Sequence, residues 1–144
     1  MFNKKLLITI GLVIGLVSSV IVVGQASYDD DVSNLFTKAA RVMEQMDDDI
    51  WTPLEQGTIS WSIAGRNAKK YEQQAFSHLE EIVQLTTEAP NMDSHVRLVE
   101  VFTGWHIVTS LVEKGLSEGE TEPLKAAIHV MNYVKTLRSE ILKY

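Results

Sequence analysis

Apolar residues recur at steps of three and four along most of the chain after residue 30, the spacing that places them on one side of an α-helix. In the first such segment Val32, Phe36, Ala39, Met43, Met46 and Ile50 keep this rhythm. Asp29 to Asp31 ahead of it supply a cap and favourable charge for a helix start. Asp47 to Asp49 carry the wrong sign for a helix end, so the chain is expected to fray or turn there. Thr52-Pro53-Leu54-Glu55 then has the form of a capping box with proline at the first helical position, which predicts a fresh start. From Leu54 the stripe runs through Trp61, Ala64, Ala68, Tyr71, Ala75, His78, Ile82 and Leu85 to about Glu88. Gly57 and Gly65 interrupt it, and a bend or break is expected between them. Thr58 to Ile63 alternates like a strand but has no partner strand, so helix is the better assignment.

Ala89-Pro90-Asn91 ends the second helix, and Asp93 or Ser94 is the expected cap of the third. Its stripe is Leu98, Val101, Trp105, Val108 and Val112, flanked by Val99, Phe102 and Thr109, with Gly115 as the expected left-handed stop. After a short polar loop from Leu116 to Glu120, Thr121-Glu122-Pro123 opens a fourth helix with a seam of Ala127, Val130, Val134, Leu137 and Ile141. Short connections between such stripes force antiparallel neighbours. The predicted fold class is all-α: an antiparallel up-down bundle of four helices, five if the second one breaks, behind an N-terminal apolar export or anchor helix.

That N-terminal element is a different kind of pattern. Leu6 to Val23 is an almost unbroken apolar run of 18 residues, preceded by Lys4 and Lys5 and followed by Asp29 to Asp31. As a helix it would reach roughly 27 Å, near the thickness of a bilayer's hydrocarbon core. Positive charge stays on the cytoplasmic side, so the rest of the chain is expected outside the cytoplasm, secreted or held by a single membrane helix. Gly24-Gln25-Ala26 offers a small-x-small cleavage site and tips the reading toward a signal peptide, while the length of the run suits a retained anchor. The expected division is residues 1–27 as signal peptide or anchor and residues 28–144 as the bundle domain.

Charge and composition narrow the function classes. Removing Lys4 and Lys5 from the 13 basic residues leaves 11 against 19 acidic ones, a net charge of −8 for the exported part. No basic cluster exceeds Lys69-Lys70, so the density that displaces counterions from nucleic-acid phosphate, or docks a basic face on anionic lipid, is missing. Membrane contact is therefore expected only through the N-terminal segment, if it is uncleaved. There is no cysteine, which excludes a disulfide framework and a lipidated cysteine at the cleavage site.

Four histidines are the natural place to look for chemistry. A straight antiparallel hairpin turning near residue 92 brings His78 level with His106, and the next turn brings His106 level with residue 130, beside His129. Such a layer could hold a metal or a small ligand inside the bundle near His78 and His106. Against it, His129 shares a face with Lys125, Asn132 and Thr136, and a register shift of two residues dissolves the arrangement. A di-metal bundle needs Glu-x-x-His on two helices, and no histidine here has a glutamate three residues before it. Haem ligation would use Met43 or Met46, but the fourth helix has no inward histidine to oppose them. The aspartate triplets lack the alternation and glycine of a calcium loop, and neither a nucleophile elbow nor a phosphate-cradling glycine loop occurs. No catalytic, cofactor or metal residue is therefore assigned.

Three tryptophans remain. Trp105 belongs to the third stripe and Trp61 precedes the small pair Ala64-Gly65, whereas Trp51 falls in an expected loop, folded over the bundle's end or reserved for a partner. The functional expectation is a non-enzymatic regulator or adaptor that binds another protein of the cell envelope or exterior. The alternative is a small-ligand or metal-binding sensor using the interior near His78 and His106.

Overall fold

The computed structural model describes residues 26–141. The apolar run Leu6 to Val23 and the export or anchor role expected of it lie outside the described residues. Among the described residues the chain is all helical. It forms α1 (Ala26–Met46), a π-helical turn (Asp47–Trp51), a short α2 (Thr52–Glu55), α3 (Trp61–Gln84), a 3₁₀ turn (Leu85–Glu88), α4 (Met92–Glu118) and α5 (Thr121–Ile141). No helix among them is long and apolar enough to cross a membrane. Four long helices thus make the expected bundle, and successive ones run antiparallel. Lys38 meets Glu81 between α1 and α3, Glu72 meets His106 between α3 and α4, and Arg97 meets Glu140 between α4 and α5.

The first stripe is buried throughout, from Val32 at 0% exposure to Ile50 at 0%. The end predicted at Asp47 to Asp49 is not an end. The backbone passes through them in one π-helical turn and on into α2, so no row of unpaired carbonyls faces the three carboxylates. The wider turn shifts the phase of the helix and turns both Ile50 and Trp51 inward. Trp51 is 3% exposed and belongs to the core, not to a loop. Thr52 is correspondingly not a cap, because Trp51 before it already has helical backbone angles.

The break falls at Gly57 rather than Gly65. Gly57 adopts φ +69°, the Gly57 amide donates to Leu54 and the Thr58 amide to Pro53, the paired bonds of a Schellman stop. Ser60 then caps α3, its hydroxyl accepting from the Ile63 amide. Gly65 serves another purpose. A Cβ there would sit 2.7 Å from the Ser117 amide nitrogen and 2.8 Å from its Cα, so α3 and α4 approach backbone to backbone. α4 starts on Asn91, whose side chain accepts from the Ser94 amide, instead of on Asp93 or Ser94. It also runs one turn past Gly115, to a left-handed Gly119, with Leu116 fully buried. Gly115 lies inside the helix, against Leu124 of α5.

α5 opens at Thr121 as expected, but its buried set is Pro123, Leu124, Ala127, Met131, Val134 and Leu137. Val130 and Ile141, assigned to the seam from the sequence, are only half-buried. Met131 takes the core position in place of Val130, while Ala127, Val134 and Leu137 keep theirs.

Two substitutions test this packing. Trp51→Ala should lower the stability to urea unfolding by about 3–5 kcal/mol, as for a large ring removed from a core; a change below 1 kcal/mol would return Trp51 to the surface. Gly65→Ala gains about 1 kcal/mol of helix propensity but must displace the Ser117 backbone, so the net effect should be destabilising.

Candidate functional site

α4 is apolar almost all the way round. Its core stripe, Leu98, Val101, Trp105, Val108 and Val112, is buried as predicted. A second stripe, Met92, Val96, Val99, Thr103 and Ile107, repeats at the same helical spacing on another side. A helix that is apolar on every face is normally covered on every face. Here the second stripe forms the floor of an open groove of about 720 Å³. Val83 and Thr86, at the end of α3, stand on one side, and His129, Val130 and Tyr133 of α5 on the other.

Exposure singles this face out. Seven large apolar side chains are exposed among the described residues, and five of them, Val83, Met92, Val96, Ile107 and Tyr133, line the groove. Their exposures run from 42% to 57%, so each keeps roughly half its surface for an occupant. The floor extends from Met92 to Ile107, about 22 Å along the helix axis. Glu100 is the one lining residue with a fixed charge. Gly104 lets α5 close in at the groove's far wall, where an added Cβ would strike Val134.

A buried histidine also lines the floor. His95 is 1% exposed, and both ring nitrogens are engaged: Nδ1 lies 2.7 Å from the Tyr28 hydroxyl and Nε2 lies 3.1 Å from Thr86 Oγ1. Tyr28 is itself 3% exposed and stacks at a tilt on the imidazole. This ring therefore ties the first turn of α1, the 3₁₀ turn after α3 and the start of α4 to one point. Burial lowers the His95 pKa from its ordinary value, since a charged imidazole there loses its water.

The histidines considered from the sequence are not gathered in one layer. His106 Nε2 donates to the Glu72 carboxylate at 2.9 Å and the ring packs on Phe76, because the pairing of α3 with α4 places it opposite Glu72 instead of His78. His78 is buried toward α1 with Nδ1 unbonded; burial lowers its pKa, Glu81 opposes that shift and Lys38 adds to it. His129 is exposed on the groove's rim. Among the described residues no group of three or more histidine, cysteine or acidic side chains is placed to hold a metal ion. The aspartate triplet before Trp51 has a structural use: Asp49 accepts from Tyr71, and its backbone carbonyl accepts from Asn67 at 3.0 Å. Burial, and then that contact with Asp49, push the Tyr71 hydroxyl well above its usual pKa.

The groove was readable in principle. The steps of four, three, four and four from Met92 to Ile107 are as regular as those of the core stripe. They are overlooked when only the most apolar face of each helix is followed. His95 left no comparable signal, since its partner Tyr28 lies 67 positions away. The chain matches no family model, no curated protein and no solved structure in the comparisons made.

The two buried histidines set a pH dependence. Both have folded-state values below the unfolded value of 6.5, so they contribute full stability above about pH 6.5. That contribution is lost as the pH falls through the lowered folded values, where the unfolded chain takes up protons that the folded one refuses. The urea midpoint should therefore drop between pH 7.5 and 5, and His95→Gln should flatten the drop. A midpoint that stays level over this range would contradict the burial of these imidazoles.

Proposed function

We propose that this chain is a non-enzymatic binding module acting outside the cytoplasm, and that its α4 groove receives one amphipathic helix of a partner protein. The observation that carries the reading is the uncovered second apolar stripe of α4, walled by α3 and α5 and long enough for about four helical turns. A helix laid along it with apolar residues at i, i+3, i+4 and i+7 would meet Met92, Val96, Val99 and Ile107 in turn. The acidic balance of the bundle and Glu100 in the lining favour a helix with basic flanks. The extracytoplasmic assignment rests on Lys4, Lys5 and the apolar run that follows them.

Magnitudes set the affinity class. Covering the exposed half of each of the five side chains is worth roughly 1 kcal/mol apiece. Association costs about 4–15 kcal/mol in lost freedom. The partner must bring a comparable apolar face, and binding in the micromolar range is the natural outcome. The groove's volume also lies within the range of small-molecule sites, about 300–1,000 Å³. Its open side and exposed apolar rims favour a helix over an enclosed ligand.

The test uses the full chain inserted in phosphatidylcholine vesicles and a fluorescent four-turn peptide with leucines on one face and lysines on the other. Saturable micromolar binding is expected. Val96→Glu with Ile107→Glu should weaken it by about tenfold or more, the equivalent of 1.4 kcal/mol, with the helical circular dichroism unchanged because both positions are exposed. Equal binding by the variant would remove the groove from the function. Stoichiometric uptake of a small apolar dye without any peptide binding would replace the helix with a small ligand.

A further inference from the structure

Of the residues that line the groove, His95 is the ionisable one that is buried, and its hydrogen bonds fix which nitrogen carries the proton. The Thr86 hydroxyl donates its single proton to the Val83 carbonyl at 2.5 Å, so toward His95 Nε2, 3.1 Å away, it can only accept. Nε2 therefore bears the hydrogen. Nδ1 keeps a lone pair, which accepts from the Tyr28 hydroxyl at 2.7 Å. Burial and then the Asp29 charge raise the Tyr28 pKa, which keeps that hydroxyl a donor. The clamp thus selects one neutral tautomer and has no place for a second ring proton. A proton on Nδ1 faces the Tyr28 O–H donor to donor, and turning that hydroxyl away strands its proton on a side chain only 3% exposed.

The surroundings do not neutralise a charged ring. α1 presents Tyr28, with Asp29 acting on Tyr28. The 3₁₀ turn presents Thr86, while its Glu88 is exposed. Across the groove α5 presents His129 and Tyr133, both exposed, and Glu100 lies about a turn and a half further along α4. Burial alone accounts for the lowered His95 pKa, so none of these charges offsets the lost water. A protonated ring must reach solvent, and the solvent it borders is the groove.

We propose that the groove is proton-gated: on taking up a proton His95 leaves its Tyr28–Thr86 clamp, turns into the groove and expels the bound helix, so that the module holds its partner at neutral pH and releases it in acid. This rests on the reading of the groove as a helix-docking site and adds its regulation.

The departing ring acts twice. It puts a cation among the apolar side chains that hold the partner, against a helix with basic flanks, and it frees the first turn of α1 from the start of α4. Helix and protonated ring compete for one space, so binding is linked to a single proton. Below the pKa of His95 in the empty groove, affinity falls toward tenfold per pH unit. That pKa lies under 6.5, so the complex is intact at pH 7.5 and weakens in the acid range. By reciprocity an occupied groove keeps His95 neutral to lower pH.

The leucine-and-lysine peptide, capped at both ends, suits the test because its side chains do not titrate between pH 5 and 7.5. Its binding to the full chain in phosphatidylcholine vesicles is measured across that range, with helical circular dichroism followed alongside. A several-fold loss of affinity from pH 7.5 to 5 is expected, with helicity retained. His95→Gln, whose amide can donate to Thr86 and accept from Tyr28, should bind with nearly constant affinity. Tyr28→Phe leaves Nδ1 without its hydrogen bond and should move the onset of release to higher pH. His129→Gln, at the exposed rim, should release the peptide like the natural chain. A pH dependence that persists in His95→Gln overturns the proposal, and so does one abolished by His129→Gln, which would make the rim the sensor. Helicity lost in step with the peptide overturns it as well, since the bundle would then be melting. Should His95→Gln fail to fold, Tyr28→Phe decides: an onset that stays put or moves to lower pH sinks the gate. Equal binding at pH 7.5 and 5 removes the gate and leaves the docking site standing. No binding at any pH removes both.

Discussion

α4 has more apolar surface than its neighbours cover, and the arrangement of the other helices follows from how they share it. α3 and α5 lie along its two flanks, drawn close by small residues: Gly65 admits Ser117, and Gly104 and Gly115 admit Val134 and Leu124. Such close approach gives backbone-level contact on both sides of α4. α1 packs against α3 and reaches α4 through large rings, Phe36 against Phe102 with centroids 5.1 Å apart and Tyr28 against His95. Three helices thus enclose the Trp105 side of α4. On the Val96 side α3 and α5 form walls, but no described element lies across them.

Because α1 contacts α4 through rings, apolar packing alone would allow it to slide. Polar contacts fix it at both ends. At its start the Tyr28 hydroxyl, His95 and Thr86 form a chain that is satisfied at both imidazole nitrogens. At its last turn and just past it, Tyr71 reaches the Gln45 carbonyl and the Asp49 carboxylate, and Asn67 holds the Asp49 carbonyl. A displaced register would leave the Tyr28 and Tyr71 hydroxyls and the His95 ring buried and unpaired, at about 1–3 kcal/mol each. The Lys38–Glu81 pair between them is solvent-exposed and adds little to that specificity. The π-helical turn belongs to the same device, since it rotates Asp49 toward Tyr71 while turning Ile50 and Trp51 inward.

How far the residues announce this structure depends on whether the deciding contact is local. The α1 stripe from Val32 to Ile50 is legible because one face of one helix meets one core, and the period alone reports it. The all-helical class and the four long segments follow for the same reason. Helix ends are less legible. Thr52-Pro53-Leu54-Glu55 has all the local marks of a start, yet the preceding turn stays helical because burying Trp51 outweighs a cap. Gly115 has the local marks of a stop, yet Leu116 and the contact with Leu124 carry the helix one turn further. The exchange of Val130 for Met131 in the α5 seam has no signature within α5, since steps of four then three and of three then four between Ala127 and Val134 are equally helical. The site suffers most from this. His95 and Tyr28 are joined only by the fold, and the proximity of His78 to His106 was a matter of register that the Glu72–His106 pair decides differently.

The apolar character of the groove is not a general property of this surface. The outward positions of α1 carry Asp30, Lys38, Arg41 and Glu44, and those of α3 carry Arg66, Lys69, Lys70 and Glu80, so the chain has charged residues to spend on solvent-facing helix surface. On the Val96 side of α4 such residues are nearly absent. Lysine or glutamate at Val96 or Ile107 would keep helix propensity as good or better and would relieve exposed apolar area, with no loss to a core that neither residue enters. A face that forgoes this easy gain, while the faces beside it take it, has the character of an interface. Its length and its single carboxylate are the two features any occupant must match.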